Sequence, residues 1–230
     1  MKACVDWERI EAELDARGHA LAGRLLTARE CQALRRRFRQ DASFRATVEM
    51  EPKRFGRGRY RYFAHPLPPP VARLRTALYP PLAAIANRWQ ERLGRGERFE
   101  PTLAAFLARC HAAGQTRPTP LLLRYERGDY NRLHQDLYGK IAFPLQVAIV
   151  LSREGRDYTG GEFLVAEQRP RMQTRVSAVR LGLGEAVVFP NAVRPVAGPR
   201  GDARALMRHG VSELLSGERF TLGIIFHDAK

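Results

Sequence analysis

Apolar positions in roughly the first hundred residues recur mainly at helical spacing. Trp7, Ile10 and Leu14 stand three or four residues apart, which puts them on one face of a helix. Thr27-Ala28-Arg29-Glu30 has the form of a capping box with Thr27 as N-cap, and predicts a helix to about Arg39. A longer helix is expected from about Val71 to Leu93, bent at Pro80-Pro81 where N–H donors are missing, and another from Pro101-Thr102 to about Ala113. Between them lies FGRGRYRYF, Phe55 to Phe63. Its period of two predicts a strand with arginines on one face and tyrosines on the other. The run Pro66-Leu67-Pro68-Pro69-Pro70 reads as a rigid connector.

The texture changes at Pro118. Short β-rich runs follow, among them LLLRY, FPLQVAIVLS, GGEFLV, EAVVF, ALMRHGV and RFTLGIIF, punctuated by Gly, Pro, Asn and Asp. Closely spaced short strands indicate a sandwich or barrel, of which the double-sheet jelly roll is one solution. The expected architecture is α+β with a mainly β core: residues 1–117 form an N-terminal helical layer, residues 118–230 a jelly roll, and the two fold as one unit.

Composition adds limits. The 230 residues are 44% hydrophobic and 27% charged, as in an ordinary globular chain. No apolar run is long enough to span a membrane, and the N-terminus lacks the apolar stretch of a secretory signal. Cys4, Cys31 and Cys110 are odd in number and contain no CxxC pair, which argues against a disulfide framework and a thiolate metal site. A reducing cytoplasm is the default compartment. The net charge of +15, carried mostly by arginine, suits an anionic partner such as nucleic acid, although arginines spread over a solvated surface would give the same total.

The chemistry concentrates in RYERGDYNRLHQD, Arg124 to Asp136. On an extended chain His134 and Asp136, two residues apart, leave the same face. A third ligand is available in His209, within an expected strand. Two histidines and a carboxylate form a facial triad that leaves positions open on Fe(II) for a bidentate ketoacid and O₂. His227 rivals His209, but almost no chain follows it; His19 and His111 sit on expected helices, and His65 precedes the proline run. Arg219 stands ten residues beyond His209. Its planar fork suits the distal carboxylate of 2-oxoglutarate, Thr221 shares its strand face, and Tyr125 could point a phenol at the same cosubstrate. Arg59, Tyr60, Arg61, Tyr130 and Asn131 are candidates to meet substrate; for Phe55 to Phe63 the competing reading is a plain edge strand.

The ordered set Tyr125-x-x-Gly128, His134-x-Asp136, Gly160-Gly161-Glu162-Phe163, Gly184-Glu185-Ala186-Val187-Val188-Phe189, His209-Gly210 and Arg219 resembles the prolyl 4-hydroxylase branch of the 2-oxoglutarate/Fe(II) oxygenases. The resemblance covers about Leu121 to Phe226. It implies a double-stranded β-helix with iron at one mouth, and hydroxylation of a substrate C–H bond coupled to conversion of 2-oxoglutarate and O₂ to succinate and CO₂. It also implies that Arg219 holds the cosubstrate carboxylate and that Gly160 and Gly161 shape a turn near the mouth. Arg124-Tyr125-x-x-Gly128 and Leu133-His134-Gln135-Asp136 resemble the nucleic-acid demethylating branch equally well, but the distal half favours the prolyl-hydroxylase-like branch, since no second arginine follows Arg219.

The substrate is therefore expected to be a peptide, protein or small molecule, with nucleic acid the alternative that the charge supports. Two other function classes remain open on the ligands alone. A zinc hydrolase accepts two histidines and a carboxylate, and a jelly-roll binding module could keep the ligands without turnover. A ketoacid anchor at Arg219 serves neither.

Overall fold

The computed structural model describes residues 5–136, 139–198 and 201–230. Among the described residues there are four α-helices: α1 (Trp7–Arg17), α2 (Ala28–Arg37), α3 (Pro69–Arg92) and α4 (Leu103–Ala112). Asp6 caps α1 by accepting from the Arg9 N–H, and the capping box at Thr27 and Glu30 is formed as the sequence predicts. Pro80 and Pro81 lie inside α3.

The strands among the described residues are β1 (Ala20–Arg24), β2 (Phe44–Glu49), β3 (Gly56–Arg57), β4 (Arg59–Phe63), β5 (Leu121–Glu126), β6 (Tyr130–His134), β7 (Leu145–Val150), β8 (Tyr158–Gly160), β9 (Phe163–Gln168), β10 (Arg175–Val179), β11 (Glu185–Pro190), β12 (Val193–Gly198), β13 (Gly201–Val211) and β14 (Leu214–Ile224). They make two antiparallel sheets. The major sheet has the order β1-β11-β7-β14-β5-β4-β2, with β8 also on β14; the minor sheet has the order β10-β9-β13-β6-β3, with β12 also on β13. Strands that return across two facing sheets in this way are a jelly roll.

Strand alternation builds two cores from the major sheet. Leu145, Val147 and Ile149 of β7, with Phe220, Leu222 and Ile224 of β14, face the helices and pack with Leu78, Tyr79, Leu82 and Trp89 of α3. Their neighbours Ala148 and Val150 turn the other way and meet Phe163, Val165, Met207 and Val211 of the minor sheet. Both faces of β7 are covered, so its apolar run is continuous rather than alternating. Gln146 is the polar exception, and it turns toward the space between the sheets.

The N-terminal part is less purely helical than its pattern predicts. It supplies four strands: β1 completes one edge of the major sheet against β11, β4 and β2 extend the other edge, and β3 joins the minor sheet. Ala20–Arg24 has little β preference of its own and is drawn into strand by pairing with Glu185–Val188. Residues of both expected parts share one apolar cluster. Cys31 and Cys110 are buried free thiols, and Cys4 lies outside the described residues. Among the described residues no helix is long and apolar enough to cross a membrane.

Candidate metal and cosubstrate site

His134 ends β6, and its register partner in β13 is His209. The two imidazoles stand 4.2 Å apart between ring centroids. This closeness depends on the neighbour of His209: an added Cβ at Gly210 would lie 2.6 Å from the Asn131 carbonyl oxygen. Asp136 follows in the same extended stretch. Its Oδ1 lies 3.5 Å from His134 Nε2 and its Oδ2 lies 3.3 Å from His209 Nε2. One donor atom from each residue falls within 4.8 Å of the others, close enough to hold a single ion.

The protonation pattern suits a cation. His134 Nδ1 is 2.8 Å from the Arg132 carbonyl, which can only accept, so the ring proton sits on Nδ1 and the Nε2 lone pair faces Asp136. Burial, then the neighbouring His209, lowers the His134 pKa and favours the neutral imidazole. Burial opposes ionisation of Asp136, but hydrogen bonding and charge interaction with His209, with further help from His134 and Gln146, hold its carboxyl well below the usual range. Two imidazole nitrogens and one carboxylate oxygen are a borderline-hard set of the kind that binds Fe(II).

Beside this cluster, a cavity of about 250 Å³ opens between the sheets. Its floor is β14 and β5, where Arg219 is paired with Tyr125 in the register. Arg219 is only 2% exposed, and its guanidinium lies between the Tyr125 and Tyr158 rings, 5.9 and 5.8 Å from their centroids. Nη1 donates to Thr221 Oγ1 at 2.7 Å, while Nε is without a hydrogen-bond partner. Among the described residues no carboxylate comes within ion-pair distance of Arg219. The Tyr125 hydroxyl, pushed to a high pKa by burial, has the Asn131 side chain as its nearest polar partner. A buried cation beside a phenol at the end of the pocket fits one end of a dicarboxylate ligand, because an unpaired buried charge is unfavourable.

The remaining sequence candidates divide. Tyr60 and Asn131 line the cavity, while Tyr130 lies on the outer side of the same wall. Arg59 and Arg61 point elsewhere and are corrected. Arg61 is buried, donating to Thr47 Oγ1, the Phe38 carbonyl and Asp41, and Arg59 pairs with Glu49. The alternation itself is present, but its cationic face turns away from the cavity. His227 stands apart from the ligand cluster: its Nδ1 accepts from the Phe143 N–H at 3.1 Å, and burial, then Arg75, lowers its pKa to about 4. Gly160 and Gly161 both have positive φ; a Cβ at Gly161 would meet Leu214 Cδ1 at 2.6 Å and Arg219 Cδ at 3.2 Å, so this glycine lets the chain pass beside the arginine.

Sequence reasoning missed Gln146 and Asn191. Gln146 Nε2 donates to Asp136 Oδ2 at 2.9 Å and also to Asn191 Oδ1. A glutamine interrupting an apolar β run was the available signal.

A protein-family model described as "Oxygenase, catalysing oxidative methylation of damaged DNA" matches residues 58–229. The chain belongs to this family, Oxygenase-NA. Two relatives of this Oxygenase-NA protein, both called uncharacterized proteins, come from Mycobacterium tuberculosis strains CDC 1551/Oshkosh and ATCC 25618/H37Rv. Each is 52% identical over 167 residues, which cover 73% of this chain and 72% of theirs. Among solved structures, a prolyl-4-hydroxylase from Pseudomonas putida matches with a TM-score of 0.56 at 16% identity, covering 97% of this chain and 99% of the other. A 2OG-Fe(II) oxygenase family oxidoreductase from Burkholderia pseudomallei matches with a TM-score of 0.54 at 15% identity, covering 97% and 91%. Those likenesses establish the fold. Membership in an oxygenase family answers the choice left open between oxygenase, zinc hydrolase and silent binding module.

Proposed function

We propose that the protein is a 2-oxoglutarate-dependent Fe(II) dioxygenase whose iron is held by His134, Asp136 and His209, and that it hydroxylates a carbon on an alkylated base of nucleic acid. The observation that carries the cofactor assignment is Arg219, a buried arginine with no carboxylate of its own beside a three-donor cluster. Three protein ligands leave room for a ketoacid and O₂. Arg219 and Thr221 would bind the distal carboxylate of 2-oxoglutarate, with Tyr125 directing its hydroxyl to the same group. Bound Fe(II) supplies the redox chemistry that couples O₂ reduction to decarboxylation of the ketoacid and oxidation of a substrate C–H bond. The chain's part is positioning. Its aromatic-lined cavity, with Tyr60, Tyr62, Phe163 and Phe189 among the walls, offers flat surfaces to a planar base.

The substrate class is supported by the description of the family and by the net charge of +15. A second reading, hydroxylation of a peptide, is favoured by the spacing of Arg219 ten residues after His209, which resembles the prolyl-hydroxylase branch. Anaerobic loading with Fe(II) and 2-oxoglutarate, followed by O₂, tests the class through succinate release. Comparing methylated single-stranded DNA with proline peptides as stimulants of that release tests the substrate. Stimulation by DNA with formaldehyde production supports the proposal; stimulation by peptide alone replaces its substrate with the second reading. No succinate from folded, metal-loaded protein overturns the class.

A further inference from the structure

The wall between the cavity and solvent is a single pair of strands. The turn after β2 passes through a 3₁₀ segment at Glu51–Lys53, and β3 then pairs with β6, Gly56 facing Asn131 and Arg57 facing Tyr130. The Arg132 N–H also donates to the Phe55 carbonyl at 2.9 Å. Gly56 permits this approach, since a Cβ there would collide with the Tyr130 carbonyl oxygen.

Alternation across that wall separates two chemistries. Phe55 and Asn131 line the cavity, with Phe55 left 45% exposed. Arg54, Arg57, Tyr130 and Arg132 line an open cleft outside, where Glu51 is the one acidic side chain on the lining. Arg132 lies over the Tyr130 ring at 5.7 Å, and Arg57 reaches Asp129 only at 3.5 Å. Neither Arg54 nor Arg132 has a carboxylate within ion-pair distance among the described residues. The other side of the same hairpin differs. There Glu49, Glu126 and Asp129 accompany Arg59 and Arg124, with Glu51 and Arg57 shared between the two sides, and Arg59 pairs with Glu49 while Arg124 pairs with Glu126 and Glu218. One side of the hairpin is charge-matched; on the side beside the mouth three guanidinium groups, one of them shared, gather around a tyrosine with Glu51 as the acidic neighbour on the lining among the described residues.

We propose that the cleft formed by Arg54, Arg57, Arg132 and Tyr130 binds the phosphodiester backbone of single-stranded nucleic acid next to the nucleotide whose base enters the cavity. This rests on the nucleic-acid reading above. Guanidinium forks match phosphate oxygens, and mutual repulsion of clustered cations is relieved by a polyanion. Exposed Phe55 on the dividing wall offers a stacking face to a flanking base.

The test measures binding of a fluorescein-labelled methylated DNA 12-mer to protein loaded with Mn(II) and 2-oxoglutarate without O₂, by anisotropy across a salt series. Arg54→Ala/Arg132→Ala should weaken binding at least tenfold and reduce the slope of log affinity against log salt by about 1.4, the value for two lost single-strand phosphate contacts. Arg36→Ala/Arg39→Ala, an exposed pair at α2 with the same charge change, should leave the slope near the wild-type value. Equal behaviour of the two double variants overturns the cleft assignment, even when wild-type protein demethylates DNA. Failure of wild type to bind DNA, with succinate release answering only to peptide, overturns both the cleft and the nucleic-acid reading.

Discussion

Gln146 donates from Nε2 to Asp136 Oδ2 at 2.9 Å, and the direction of that bond is dictated from the far side of the core. Asn191 Nδ2 donates to the Phe143 carbonyl at 3.0 Å, so Asn191 presents Oδ1 to Gln146. Gln146 must answer with its amide nitrogen, and that nitrogen's remaining hydrogen meets the carboxylate. A ligand carboxylate fixed by a donor of defined polarity is oriented before any ion arrives. Gln146→Met keeps the shape and removes the donor. It should weaken divalent metal binding 10- to 100-fold while the metal-free melting temperature changes by only a few degrees, as read by competition with a fluorescent chelator and by calorimetry. Unchanged affinity would show that Asp136 needs no such support.

Arg219→Ala should raise the 2-oxoglutarate requirement at least 30-fold, about 2 kcal/mol, with Mn(II) affinity in the absence of cosubstrate unchanged. Titration calorimetry separates the two quantities. An unaltered requirement would move the carboxylate anchor elsewhere.

His227 gives the metal-free fold a pH dependence. Its pKa falls from 6.5 to about 4 because burial, then Arg75, disfavours the charged ring. Below pH 6.5 the unfolded chain takes up a proton that the folded chain refuses, so stability declines as pH falls from about 6.5 toward 4, by up to about 1.4 kcal/mol per unit. His227→Asn keeps an acceptor for the Phe143 N–H and should flatten the urea midpoint over that interval relative to wild type. Parallel profiles for the two proteins would rule His227 out as the source.

Arg75 and Asp228 form a buried pair that ties the chain's end to α3. Arg75 Nη2 donates to Asp228 Oδ1 at 2.8 Å and to the Phe226 carbonyl at 2.8 Å, and Nε donates to the Ile225 carbonyl at 3.0 Å. Arg75→Met leaves the Ile225 and Phe226 carbonyls without their donor and leaves the buried Asp228 carboxylate with only His111 beside it, and should destabilise the protein by about 3–5 kcal/mol. Arg75→Met/Asp228→Asn should recover part of that loss in denaturant unfolding. Purely additive losses would show that the pair is not coupled.

The residues at the site differed in how far sequence alone could reach them. His134 and Asp136 are legible because a two-residue interval on extended chain fixes a shared face, and Arg219 with Thr221 by the same rule. That rule assigns faces without saying which face looks inward. In β4 it separates arginines from tyrosines, yet both faces are covered: the tyrosines meet the cavity, and Arg61 is buried among Phe38, Thr47 and Asp41. β1 was hidden because Ala20–Arg24 becomes strand through pairing with distant β11, a contact no local pattern announces. The link between Gln146 and Asn191 joins positions 45 residues apart, so its meaning lies wholly in the tertiary arrangement.

The strand that carries His134 is also the one to which the mouth hairpin is hydrogen-bonded, through Gly56, Arg57 and the Phe55 carbonyl. That hairpin cannot swing outward as an independent flap without pulling on a backbone that ends in a proposed ligand. Displacement of the entrance is therefore transmitted to the three-donor cluster, so access and the geometry of the proposed metal site are linked.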